Sequence, residues 1–492
     1  MKVSLQELKE KSGIGFGTSG IRGLITELTD FVSYSYTKAF IEYLRQINDL
    51  TKGKIAIAGD LRKSTGRIMA TVARAIEDEG LRVVNCGLIP TPAVTYYGVM
   101  TGIPTIMITG SHIPADRNGI KYNLSGREII KEDEELISGL EVEVDETLFD
   151  ENGTLKETGK LPEVNEEARE IYKKRYLDFF ETDLLQNKRI GLYGHSAVGR
   201  ELIEEVLQSL GAEVVRLDFS DSFVPVDTEA VPEDLVEKGR RWSQENRLEA
   251  IVTTDGDSDR PLLADEKGEW LRADSSGIPV AAFLGAKAAV VPVSCNTALE
   301  KSGVVKRVER VRVGSPYVVA KMMELMSEGE TKVIGYEANG GFLLGEGFER
   351  KGKILKQLLT RDALIVLLAL LARATEKGMS ISESMADLPK RFTSSGSIKD
   401  FPTDLSLKIL EELGEDKEKI SQALGSDFGE ITEINTLDGL RITFENDRIV
   451  HFRPSRNAPE FRNYTEAESQ QEAEKLSKLA DGVVKRWQEE RA

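Results

Sequence analysis

The sequence predicts an α/β protein in which three similar units are followed by an α+β module. Three observations lead there. Short apolar strands alternate with helical stretches, that pattern restarts twice, and the last hundred or so residues change to a two-residue period. In the first unit, residues 54–58 (KIAIA) read as a strand, 66–79 carry helical spacing, 81–84 are strand-like, and 105–108 form a strand that stops at Thr-Gly-Ser-His. This βαβ rhythm implies a largely parallel sheet whose ligand loops lie at the strand C-termini. The second unit starts at Arg189, where RIGLYGHSAVGRELIEEVLQSLGAEVVRL gives strand, glycine loop, helix and strand in order. The third spans 288–344, with AAVVPV, a helix near 317–328 and KVIGY. In the final module, DGLRITFENDRIVHFRP alternates about a turn at Asn446-Asp447, and a helix rich in Ala, Glu and Lys closes the chain. The expected domains are 1–160, 161–269, 270–393 and 394–492. The acidic stretch 141–159 reads as a linker, and 268–277 and 390–402 as the other joints.

Bulk composition narrows the function. The 492 residues suit several domains, and 65 basic against 83 acidic residues leave a net charge of −18, which repels polyanions such as nucleic acid. A small phosphorylated substrate then needs a local concentration of basic groups. Cys86 and Cys295 each sit in an apolar run and read as buried thiols, in keeping with a reducing cytoplasm. The first residues lack a signal-peptide core, and the longest apolar run, 363–372, is about half of a membrane span. Neither secretion nor a membrane partner is expected.

Four segments carry chemistry. Residues 109–121 (TGSHIPADRNGIK) begin where a predicted strand ends, which puts Ser111 at a crevice mouth; the alternative is a loop hydroxyl that caps a helix. No G-x-S-x-G elbow supports a serine hydrolase. Residues 255–260 (DGDSDR) follow another apolar strand. Their carboxylates, Asp255, Asp257 and Asp259, repel one another unless a hard cation joins them, and magnesium suits a site that leaves room for phosphate oxygens. A solvated acidic loop or a calcium loop is the alternative. Residues 335–341 (GYEANGG) set Glu337 and Asn339 where they can bond vicinal sugar hydroxyls, although ordinary turns use the same residues. Residues 453–462 (RPSRNAPEFR) gather Arg453, Ser455, Asn457 and Arg462 into a phosphate cradle or a surface salt-bridge loop.

In this order, and together with residues 17–23 (GTSGIRG), these segments resemble the α-D-phosphohexomutase family over essentially the whole chain, in wording similar to its phosphomannomutases. The resemblance implies three similar α/β domains and a C-terminal phosphate-binding domain around a central cleft. It implies Ser111 as a phosphoserine that also meets the metal, Asp255, Asp257 and Asp259 as magnesium ligands, and Arg260 beside the phosphoryl site. Glu337 and Asn339 fall on a sugar-recognition loop, and Arg453, Ser455 and Asn457 on a loop for the non-reacting phosphate. Thr18 and Arg22 line the catalytic side, and Lys121 assists proton transfer. The implied reaction interconverts hexose 1- and 6-phosphates through a hexose 1,6-bisphosphate. A phosphoglucomutase, a phosphoglucosamine mutase, a non-catalytic sugar-phosphate sensor and a metal-dependent phosphatase are the alternatives.

Two departures stand out. Many relatives have Ser-Gly-His where this chain has Asn339-Gly340-Gly341, so proton transfer rests on Lys121 and His112. Arg456-Asn457-Ala458 replaces the common Gly-Thr-Glu. His195 and His451 are expected to be structural.

Overall fold

The computed structural model describes residues 1–17, 20–454 and 459–491. Its contacts divide the chain into one unit of Met1–Ala289 and Gly314–Ala386 and a second of Val290–Val313 and Asp387–Ala492. The architecture is four-domain α/β, with three α/β domains and a C-terminal α+β domain.

In the first domain six strands run in the order Gly15–Phe16, Ile21–Leu24, Arg117–Asn123, Thr105–Ile108, Lys54–Gly59, Arg82–Leu88. Lys54–Gly59 is parallel to Arg82–Leu88 and Thr105–Ile108, as the βαβ rhythm requires, and the other three pairings are antiparallel. The sheet is therefore mixed, not largely parallel. After Ser111 the chain reverses at once and returns as Arg117–Asn123, which carries Lys121 back along the strand that delivered the serine. The apolar face of the helix Thr65–Asp78 covers the sheet through Ile68, Met69, Val72 and Ile76.

Residues 141–159 are not a linker. Glu141–Glu143 pairs antiparallel with Lys2–Ser4, and Val142, Val144, Phe149 and Leu155 are buried in the first domain's core while the acidic side chains between them face water. Of the other expected joints, residues 268–272 lie outside helix and strand apart from an isolated bridge at Trp270. Residues 273–277 begin the helix Ala273–Leu284, and Phe392–Lys399 is a strand.

The second domain has four strands in the order Glu213–Phe219, Arg189–His195, Ala250–Thr254, Pro261–Ala264, the last antiparallel to its neighbour. In the third, Val333–Tyr336 turns back into Phe342–Leu344, and the buried helix Ala363–Lys377 follows. That helix contains the longest apolar run of the sequence. Among the described residues, no helix is long and apolar enough to cross a membrane.

The C-terminal domain, in the second unit, is an antiparallel sheet ordered Phe392–Lys399, Glu460–Ala467, Ile449–Pro454, Leu440–Phe444, Ile431–Asn435. Asp447, at φ 57°, makes the expected turn between two of its strands. Trp487 of the closing helix Gln470–Arg491 packs on Phe452 and Phe461. Cys86 and Cys295 are buried thiols, not joined in a disulfide.

Candidate active site

Ser111 follows the strand Thr105–Ile108 with a fully buried side chain and a backbone at φ 54°, a left-handed conformation that is costly for any residue with a Cβ. The cause of that geometry is Arg62, which the sequence reading passed over. Its guanidinium donates to the carbonyls of Ser111 (2.8 Å), Ile113 (2.6 Å), Pro114 (2.7 Å) and Arg117 (2.9 Å), and it stacks 3.8 Å above the Phe223 ring. Arg62 also pairs with Asp60, which accepts from Thr65 and Thr109, both at 2.7 Å. The Thr109 hydroxyl in turn accepts from the Ser111 amide at 2.7 Å. Residue 110 must be glycine, because a Cβ there would stand 2.6 Å from Arg62 Cζ. Arg62→Met is expected to cost about 3–5 kcal/mol, since Asp60 would stay buried without its cation. Chemical denaturation checks this, and an unchanged midpoint contradicts it.

The Ser111 hydroxyl donates to Asp255 Oδ2 at 2.6 Å. Asp255, Asp257 and Asp259 are fully buried, and one oxygen from each lies within 4.8 Å of the others, the one such group among the described residues. The local sequence explains the cluster. Ser258 at φ 57° bends the loop, and Asp255 Oδ1 accepts from the amides of Asp259 and Arg260, both at 3.2 Å.

The remaining oxygens are divided. Asp257 Oδ2 accepts from Thr91 and from Lys121 (2.5 Å), and Asp259 Oδ2 accepts from Lys121 (2.7 Å) and Arg361 (3.0 Å). Asp257 and Asp259 thus each spend one oxygen on the protein and Asp255 spends both, while Asp257 Oδ1 and Asp259 Oδ1 are buried with no hydrogen-bond partner. Burial pushes Asp255 well above the ordinary carboxylate range, helped by Asp257 and Asp259. Burial also raises Asp257 and Asp259, but Lys121 outweighs it at the first and Arg361 at the second, so both are held low. An all-oxygen donor set with two orphaned oxygens, in which burial and the two neighbouring aspartates disfavour ionisation of Asp255, fits a hard divalent cation such as Mg²⁺.

Cations ring the acidic loop. Arg260 Nε lies 3.8 Å from Asp259 and 4.0 Å from Asp255. Arg22 stands in the strand Ile21–Leu24, its Nε unpartnered, and burial together with the Arg260 and Arg361 guanidiniums pulls it down to about 10. His112 Nδ1 is 3.4 Å from Ser111 Oγ. Burial, then Arg260 and Arg22, push His112 far below its usual value, so it is neutral at pH 7.

In the third domain's loop, Glu337 Oε2 accepts from Arg361 Nη1 at 3.1 Å. Asn339 Oδ1 accepts from the Gly341 amide at 2.9 Å, and the Asn339 carbonyl accepts from Thr228 at 2.7 Å. The structure therefore brings Ser111, His112, Lys121, Arg22, Asp255, Asp257, Asp259, Arg260 and Glu337 into one network. Asn339 stands on the same loop as Glu337, and Arg361 is a member that the sequence reading missed.

In the second unit, Arg453 donates from Nε to Asp438 Oδ2 at 2.9 Å and stands opposite Arg462 across two paired strands. Thr18, Ser455 and Asn457 lie outside the described residues. His195 donates from Nε2 to the Thr254 carbonyl (2.8 Å), and His451 from Nε2 to that of Asp438 (2.6 Å); both are structural, as expected.

Comparison with known proteins follows the same outline. Residues 13–146, 170–268 and 280–392 match the descriptions "Phosphoglucomutase/phosphomannomutase, alpha/beta/alpha domain" I, II and III respectively. A phosphomannomutase of Salmonella muenchen is 42% identical over 94% of each chain. One of Sinorhizobium fredii is 41% identical over 96% of this chain and 98% of its own. A phosphoglucosamine mutase of Thermotoga sp. is 26% identical over 94% of this chain and 97% of its own. Among solved structures, a phosphoglucomutase/phosphomannomutase family protein of Burkholderia thailandensis superposes with a TM-score of 0.71 at 20% identity, over 96% of this chain and 97% of its own. An Aspergillus fumigatus N-acetylphosphoglucosamine mutase, in complex with GlcNAc-6P and magnesium, does so at 0.60 and 13% identity, over 99% of both chains. At those identities the two structures speak to the fold alone.

Proposed function

The chain belongs to the phosphoglucomutase/phosphomannomutase family and is a mutase, and from that premise we propose that it interconverts mannose 1-phosphate and mannose 6-phosphate through a phosphorylated Ser111. The observation that carries this reading is the hydrogen bond of Ser111 to Asp255, inside a cluster whose other two aspartates each keep one oxygen free. Mannose is favoured because two relatives above 40% identity are phosphomannomutases.

Asp255, Asp257 and Asp259 would hold the magnesium with an oxygen of the Ser111 phosphoryl group, and the ion supplies neutralising charge when bound. This chain's own residues do the rest. Arg22, Lys121, Arg260 and Arg361 face Asp255, Asp257, Asp259 and Glu337, four cations against four carboxylates, so the site can take a phosphoryl group and its counter-ion together. In the first half-reaction the P–Oγ bond of phosphoserine breaks as the free sugar hydroxyl forms a new O–P bond. The hydroxyl proton leaves, and Ser111 Oγ gains one. Lys121, bound to two carboxylates, has a third N–H for that leaving oxygen, and neutral His112 stands beside it. The resulting 1,6-bisphosphate turns over and returns its other phosphoryl group to Ser111.

Glu337 and Asn339 would recognise the sugar hydroxyls, with Thr18 on the catalytic side. Arg453, Ser455 and Asn457 would hold the phosphate that is not reacting. Arg453→Ala is expected to raise KM roughly 10- to 100-fold, the value of a charge-assisted hydrogen bond or two, with a smaller change in kcat. Initial rates against substrate concentration check it, and an unaltered KM moves the phosphate site elsewhere. The activity itself is tested by phosphorus NMR of the protein with Mg²⁺, a trace of hexose 1,6-bisphosphate, and mannose, glucose or glucosamine 1-phosphate in separate tubes. The mannose 6-phosphate resonance should grow fastest, whereas growth of inorganic phosphate would identify a phosphatase.

A further inference from the structure

Arg361 lies between Phe342–Leu344 and the helix Ala363–Lys377, 1% exposed, in a chain that otherwise keeps most arginines at its surface. Its two neighbours are both anchored. The Thr360 hydroxyl donates to Glu128, and Asp362 accepts from Tyr172 (2.7 Å) and Tyr176 while capping the helix through the Leu364 amide (3.2 Å). The backbone of Arg361 is therefore fixed on both sides, and the guanidinium has one place to go.

That place joins two loops. Nε and Nη2 reach Asp259 Oδ2 at 3.0 and 2.9 Å, and Nη1 donates to Glu337 Oε2 at 3.1 Å. The methylene stem runs under the glutamate loop, where a Cβ on Gly341 would meet Arg361 Cδ at 2.5 Å and Cγ at 2.6 Å. A side chain at 341 and an arginine at 361 thus exclude each other. A buried guanidinium cannot give up its proton in a protein, so this position supplies fixed charge and geometry and no acid–base chemistry.

We propose that Arg361 is a positioning residue that locks the sugar-recognising carboxylate to the metal-binding loop. It rests on the reading above in which Glu337 contacts the sugar and Asp259 the metal. By taking Glu337 Oε2 and Asp259 Oδ2 in one planar fork, Arg361 turns the other oxygen of each toward ligand. It holds the two loops in register, so sugar selectivity and metal affinity depend on the same side chain.

The test compares wild type with Arg361→Lys and Gly341→Ala. Three quantities are measured: kcat/KM for mannose and glucose 1-phosphate, Mg²⁺ binding by calorimetry without substrate, and thermal melting. Lysine keeps the charge but has a single nitrogen in place of the planar fork whose separate nitrogens meet Asp259 and Glu337, so kcat/KM should fall roughly 10²-fold. The mannose-to-glucose ratio should move toward one, and Mg²⁺ affinity should weaken. Gly341→Ala pushes on the stem with every charge retained and should shift the same ratio in the same direction; it decides the matter where Arg361→Lys fails to fold. An unchanged ratio and unchanged Mg²⁺ affinity in folded variants overturn the proposal, even if melting temperatures drop. If wild type converts neither sugar, the proposed function fails first, and the two failures are told apart.

Discussion

Ser111→Ala is expected to lower kcat by roughly 10⁴-fold or more while the protein stays folded. The variant keeps the Cβ that the loop already tolerates at φ 54°, and it leaves intact the bonds from Arg62 that set the loop. What goes is one hydroxyl and its bond to Asp255. A non-catalytic role for that hydroxyl, such as capping, would cost only about 1 kcal/mol of stability and leave turnover near normal. Initial rates with hexose 1-phosphate and a trace of bisphosphate, set beside circular dichroism of the same sample, separate these outcomes. Appreciable activity in a folded Ser111→Ala sample would remove the phosphoserine from the mechanism.

The second large effect belongs to the acidic loop. Asp257→Asn preserves shape and can still accept from Thr91 and Lys121, but it removes a charge that faces the buried cations Lys121 and Arg361. Turnover is expected to fall on the order of 10²–10³-fold, with a higher magnesium concentration needed for half-maximal rate. A magnesium titration of kcat checks this. A curve that overlays that of wild type would mean that the free oxygen of Asp257 holds no metal.

Both chemical loops could be read from the sequence because each follows an apolar strand, and a polar run after such a strand has nowhere to go but the sheet's C-terminal edge. The hairpin about Asn446-Asp447 was legible for an equally local reason, since turn chemistry and two-residue alternation agree there. Arg62 and Arg361 were not. An arginine in sequence resembles any surface arginine, and what buries these two comes from far away. Asp259 is 102 residues from Arg361, and the carbonyls bound by Arg62 are about fifty residues on. The signal that could have found Arg62 is Asp60-x-Arg62 at the end of a buried strand, an ion pair in the kind of position that also holds Ser111. Residues 141–159 misled in the opposite direction, because four apolar side chains irregularly spaced among acids suffice to seat the segment on a core.

One peptide tests the central claim directly. Cleavage after Arg82 and Arg117 releases residues 83–117, in which Ser111 is the single serine. After incubation of the protein with hexose 1,6-bisphosphate and Mg²⁺, mass spectrometry should find this peptide carrying one phosphoryl group on Ser111. Addition of hexose monophosphate should remove that group as bisphosphate forms. A peptide that stays unmodified while the sugar phosphates interconvert would contradict the account.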